Sequence, residues 1–152
     1  MTKKKININN NSLIEQFGMK PYKLRVKEKY MSKRQLNHFK KILNSWKEQL
    51  EQEAEKTVNH MKKDSNILAD PNDRATQESE FGLELRTRDR ERKLIRKIQS
   101  SLIKIDDGTF GYCEETGEEI GLQRLEARPV ASLTLEAQER REITEKQYTD
   151  SR

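Results

Sequence analysis

From Leu36 the chain places Phe39, Leu43, Trp46 and Leu50 at alternating spacings of three and four, and the register continues through Glu53, Thr57 and His60. This is the a/d seam of a coiled coil, apolar at its start and polar at its far end. Toward that end the apolar stripe shifts to Ala54, Val58 and Met61. Ser32 with Gln35 three residues on forms a capping-box pattern, and Met31 before it can staple onto Leu36. No Pro or Gly interrupts Ser32 to Ile67. The pattern therefore predicts a helix of about 35 residues, ~50 Å long.

A break follows at Asn66–Asp73, where Asp70-Pro71 is a helix-start signature: a side-chain cap, then a residue with preset φ and no N–H to satisfy. A second helix is predicted from Pro71 to Ile105, with Phe81, Leu85, Ile95, Ile98, Leu102 and Ile105 as its apolar positions. Its middle, Arg86 to Lys93, is too polar to bury. Two long helices joined by a short loop make an antiparallel hairpin. Asp106-Asp107-Gly108 ends the second helix. Phe110 to Cys113 and Ile120 to Leu122, around the Thr116-Gly117 turn, then predict a short β-hairpin. After Arg128-Pro129, Ser132 or Thr134 caps a final amphipathic helix to about Gln147, with Leu133, Leu135, Ala137 and Ile143 as its apolar face.

Composition agrees with a rod rather than a ball. Apolar residues make up 32% and charged residues 38%, against about 45–50% and 25% in ordinary globular domains. The net charge of +5 is uneven: residues 1–30 hold eight Lys/Arg and two Asp/Glu, leaving 23 basic and 24 acidic residues in the rest. A charge-balanced body argues against reading the whole chain as a nucleic-acid binder by bulk electrostatics. Residues 1–30 read as a Lys- and Asn-rich arm, disordered until docked, in which Leu13-Ile14 and Phe17 can form a brief helix. No apolar run nears the ~20 residues of a membrane span, and no apolar h-region follows Lys3-Lys4-Lys5. A cytoplasmic monomer is expected.

Three blocks carry a family resemblance. Asp70-Pro71-Asn72-Asp73-Arg74-Ala75 resembles the coiled-coil tip of the DksA/TraR family of RNA polymerase-binding transcription factors, of the DksA type. Leu85 through Ile95 resembles the family's second coiled-coil strand. Phe110-Gly111-Tyr112-Cys113, Glu119-Ile120-Gly121 and Arg124 through Pro129 are similar to its zinc-ribbon module. The likeness runs in register from about Tyr30 to Gln147. The expected fold is mainly α: an antiparallel coiled-coil hairpin (32–105, tip at 66–76), a partly ordered arm (1–31), and a small zinc-ribbon-like module with a C-terminal helix (106–152).

The resemblance implies a regulator, not an enzyme, that enters the secondary channel of bacterial RNA polymerase. There it would destabilise open promoter complexes together with the alarmone ppGpp in the stringent response. Asp70, Asp73 and Ala75 match the family's tip residues. Arg90, Lys93 and Arg124 match positions that contact the polymerase rim, and Leu94, Lys97 and Arg128 match positions that contact the alarmone. Gln138 stands where the family has a Lys, and losing one ammonium–phosphate contact weakens a site by about 1–3 kcal/mol.

The tip acids have three readings: helix capping, a Mg²⁺ held for transcript cleavage as in Gre-type factors, and non-catalytic interference with polymerase. Asp73 is the expected functional acid and Asp70 the more structural one. The basic run Arg86–Lys97 is either a solvated helix face or a grip on acidic surfaces and phosphates. At the family's four zinc-ligand positions stand Cys113, Thr116, Thr134 and Ala137, and Cys113 is the sole cysteine. One thiolate cannot hold a tetrahedral Zn²⁺, and His38 and His60 both lie on the first helix. No zinc is therefore expected, and in this the chain resembles the family's cysteine-poor, zinc-independent paralogues.

Overall fold

The computed structural model describes residues 13–63 and 70–151. The expectations for Lys3-Lys4-Lys5, and for the turn at 66–69 with Ile67, lie outside those residues. Among the described residues there are five helices: α1 (Leu13–Gln16), α2 (Lys33–Lys63), α3 (Pro71–Asp107), α4 (Leu122–Ala127) and α5 (Leu135–Asp150). The chain divides into two compact units, one made of Met1–Ile42 with Gly111–Arg152 and the other of Leu43–Phe110.

The second unit holds α3 and the later part of α2. Asp70, in extended conformation, caps α3 by accepting the N–H of Asn72 at 3.0 Å, and Pro71 opens the helix without a donor to satisfy. Gly108 ends it at φ 79°, a left-handed conformation open to glycine, with its N–H bonded back to the Ile105 carbonyl. His60 Nδ1 lies 3.4 Å from Glu84 Oε1 across the hairpin. In antiparallel helices of equal rise, that pair brings Leu50 level with Leu94 and Leu43 level with Ser101. Leu43, Leu50, Ile98, Ser101 and Ile105 are buried, while Ala54, Val58 and Met61 are only half-buried. The apolar seam therefore thins toward the tip, as the shifting stripe predicts. Leu85, assigned to the apolar face, is half exposed.

In the first unit, α1 packs on α4, burying Ile14 and Leu125. Ser32 caps α2 by accepting the N–H of Gln35 at 3.4 Å, while Gln35 Oε1 accepts from the N–H of Met31 at 2.7 Å rather than from Ser32. The capping box is thus present, displaced by one residue on its return arm. The Tyr30 hydroxyl donates to the Gly111 carbonyl (2.7 Å) and accepts from the Gly121 N–H (2.9 Å). Gly111 has φ +89°, and a Cβ there would lie 2.8 Å from Met31 Sδ.

Two expectations need correction. The predicted β-hairpin shrinks to one antiparallel bridge, Tyr112 to Glu119, flanked by hydrogen bonds from Cys113 N–H to the Glu118 carbonyl and from Ile120 N–H to the Gly111 carbonyl. Close pairing around Thr116-Gly117 leaves too few residues for strands. Of the expected face of α5, Leu133 and Ala137 are buried, but Leu135 and Ile143 are 57% and 56% exposed. Thr134 caps this helix, accepting from the Ala137 N–H at 3.3 Å, so the first turn docks and the remainder runs through solvent.

Candidate functional site

At the start of α3 the cap fixes Asp70, with Oδ1 committed to the Asn72 N–H. Asp73 occupies the first turn, where the helix dipole favours a carboxylate. Asp70, Asp73 and Ala75 are all exposed, and among the described residues the Asp73 carboxylate has no hydrogen bond or ion pair. The cap thus consumes the first acid and presents the second. Farther along α3, Arg90, Lys93 and Lys97 are exposed and Leu94 is half-buried. Their spacings of three and four place them along one helix face.

The module around α4 gathers Arg124 and Arg128. They line a cavity of about 480 Å³ with Ile120, Ala127 and the exposed Leu135. Arg124 is aimed by its Nε, which donates to the Leu133 carbonyl at 3.0 Å, whereas Arg128 is exposed. Sequence reasoning named both arginines but missed Leu135 as an apolar wall, because helical period assigned it to the core. Gln138 donates to Glu142 Oε1 at 2.8 Å, one turn away on α5.

The thiol of Cys113 is buried, and the Thr134 hydroxyl donates to its Sγ at 3.9 Å. Burial pushes this thiol up, but hydrogen bonds from the Thr116 hydroxyl and from the backbone of Thr134, Thr116 and Glu115 outweigh it and bring it from 9.0 to about 7.

A second network escaped the sequence reading altogether. Glu28 accepts from the Tyr22 hydroxyl, the Arg25 N–H (3.0 Å) and the Ser32 hydroxyl (2.8 Å), and Arg34 lies 3.7 Å away. These donors hold its carboxyl at about 2, the Tyr22 bond contributing most, against the upward push of burial. Glu126 adds a tie, accepting from the Tyr22 backbone N–H at 2.6 Å. Carboxylates on a charged surface give no sequence signal of such a role.

Residues 35–105 match the family of the DnaK suppressor protein DksA, N-terminal domain. The chain is 54% identical over 136 residues, 90% of its length, to the RNA polymerase-binding transcription factor DksA of Haemophilus influenzae, covering 94% of that protein. The chain belongs to the DksA family. The Escherichia coli K12 RNA polymerase-binding transcription factor DksA is 51% identical over 136 residues, with 90% of each chain covered. Among solved structures, transcription factor DksA2 from Pseudomonas aeruginosa superimposes with a TM-score of 0.72 at 35% identity, covering 77% of this chain and 90% of that one. The long helical hairpin is thus the DksA fold.

Residues 108–142 match the prokaryotic dksA/traR C4-type zinc finger. This overturns the expectation of no zinc as the sequence reading framed it: the module is of a zinc-finger family, and zinc belongs to the account of that fold. The four positions themselves do not supply a four-cysteine set. Cys113 brings one thiol, Thr116 and Thr134 bring hydroxyls engaged in the bonds above, and Ala137 brings a methyl group. Among the described residues no three His, Cys, Asp or Glu side chains converge.

Proposed function

We propose that this chain is a transcription regulator that enters the secondary channel of bacterial RNA polymerase and destabilises open promoter complexes, acting with ppGpp and without chemistry of its own. The observation that carries this reading is the division of labour at the tip. Asp70 anchors the helix start, and Asp73, one turn on, stands exposed where a partner's active site can meet it. Identity to polymerase-binding factors over 90% of the chain supports the same partner.

Arg90 and Lys93 on α3 and Arg124 beside α4 are assigned to the polymerase rim. Leu94, Lys97 and Arg128 are assigned to the alarmone, with Gln138 weakening its hold. The protein acts as a cytoplasmic monomer without reading DNA sequence. Among the described residues, no helix is long and apolar enough to cross a membrane.

Purified protein added to initiating and stalled polymerase, with and without ppGpp, tests this. Shortened open-complex lifetimes are the expected result. Cleaved transcripts would transfer the tip carboxylates to the alternative reading, a catalytic elongation factor, and no effect on either complex would remove polymerase as the partner.

A further inference from the structure

A cavity of about 640 Å³ opens between the segment Lys20–Lys23 and the first turns of α2. Lys20, Lys23, Arg34 and Lys41 line it together with Asn37 and His38, and the Tyr22 ring completes the wall. Among the described residues no carboxylate lines it. Arg34, Asn37, His38 and Lys41 recur at helical spacing, so one face of α2 supplies half the wall. The volume falls within the range of small-molecule sites. None of these side chains is assigned to polymerase or to ppGpp above.

The arrangement is held in place before any ligand arrives. The Arg34 guanidinium is fixed 3.7 Å from Glu28 Oε2 and sits 4.9 Å from the centroid of the Tyr22 ring. Tyr22 is tied in turn to Glu28 through its hydroxyl and to Glu126 through its backbone N–H. His38 packs against the Tyr22 ring at 5.2 Å, with Glu126 Oε1 3.8 Å from its Nε2. That Nε2 is buried and has no hydrogen-bond partner among the described residues. Lys20, Lys23 and Lys41 are exposed and swing on long stems.

We propose that this cavity binds a small anion carrying two or more linked phosphate groups. Lys20, Lys23 and Lys41, gathered around an Arg34 already paired with Glu28, repel one another, and an anion relieves that repulsion. A single phosphate carries at most about −2 near neutral pH and leaves one of those lysines unmatched. Single-stranded nucleic acid is the less suited occupant, because it gains most from open aromatic faces and the Tyr22 ring is already contacted by Arg34 and His38. Burial, together with Lys41 and Arg34, holds the His38 imidazole below its ordinary value, with Glu126 opposing them. A bound anion offsets the two cations and raises it.

Calorimetric titration of the full chain with pyrophosphate at fixed ionic strength tests the site, with orthophosphate and an oligothymidylate as comparison ligands. One pyrophosphate per chain is expected, bound more tightly than orthophosphate, with an upward shift of the His38 titration seen by NMR. The double variant Lys23→Gln, Lys41→Gln should weaken binding at least tenfold, while Lys47→Gln leaves it unchanged. Equal losses in both would reduce the effect to general electrostatics and overturn the site, as would the absence of binding. Loss in Arg128→Gln alone would move pyrophosphate to the Arg124–Arg128 cavity and also overturn it. Tighter binding of the oligothymidylate at equal phosphate concentration would replace it with a polynucleotide site.

Discussion

The hydroxyl of Tyr30 donates to the carbonyl of Gly111 while accepting the N–H of Gly121, so one side chain joins the two ends of the segment that carries the Tyr112–Glu119 bridge. The ring also meets that of Tyr112 edge-on at 5.6 Å. Removing only the oxygen keeps the ring and deletes both bonds. Tyr30→Phe should therefore cost about 1–3 kcal/mol, read as a lower urea midpoint at unchanged slope. A loss below about 0.5 kcal/mol, the usual range of surface substitutions, would show that water replaces the hydroxyl without penalty.

Glu28 should make the first unit acid-labile. Its folded value of about 2 lies below the ordinary 4.5, so the unfolded chain binds the proton more readily. The stabilisation it contributes is complete above about 4.5 and disappears as pH falls toward 2. Glu28→Gln has no such proton to take up, so its stability should fall less over that interval than the parent's. Parallel pH profiles would remove Glu28 as the cause.

At the tip, Asp70 and Asp73 should separate cleanly. Asparagine caps helices about as well as aspartate, whereas alanine costs about 1 kcal/mol. Asp70→Asn should then leave thermal stability intact and Asp70→Ala should lower it. Asp73→Asn should cost no more than about 1 kcal/mol of helix-dipole stabilisation and preserve polymerase binding, but abolish repression of a ribosomal RNA promoter in a purified transcription assay. Full repression by Asp73→Asn would end its assignment.

The basic face of α3 should show position-dependent effects. Charge reversal at Arg90 should weaken polymerase binding by tenfold or more. The same change at Lys47, which pairs with Glu51 at 3.8 Å one turn away, should have little effect. Losses of similar size at both positions would leave nothing specific to Arg90.

Helix starts and stops were legible because their chemistry is local: Ser32 with Gln35, Asp70-Pro71 and Gly108 each act within four residues. The thinning seam was legible too, since burial at Leu43 and Leu50 and partial exposure at Val58 and Met61 follow the stripe itself. Contacts distant in the chain were not. Tyr30 meets Gly111 across 81 positions, and Tyr22 meets Glu126 across 104. Leu135 and Ile143 misled for a different reason: a period marks which side chains share a face, not whether another element covers that face. Arg124 and Arg128 were named from resemblance, and the cavity that frames them emerges only from packing. Counting cysteines spoke to the ligand set and not to the family, which is where the zinc expectation went wrong.

The fit between Gly111 and Met31 implies a pattern that can be sought in natural variation. A side chain at position 111 needs a left-handed backbone that costs about 1–2 kcal/mol, and its first carbon would collide with the Met31 thioether. Drift at one position therefore closes options at the other. Descendants of this chain that replace Gly111 should be rare, and those that do should carry a shortened or re-oriented side chain at residue 31.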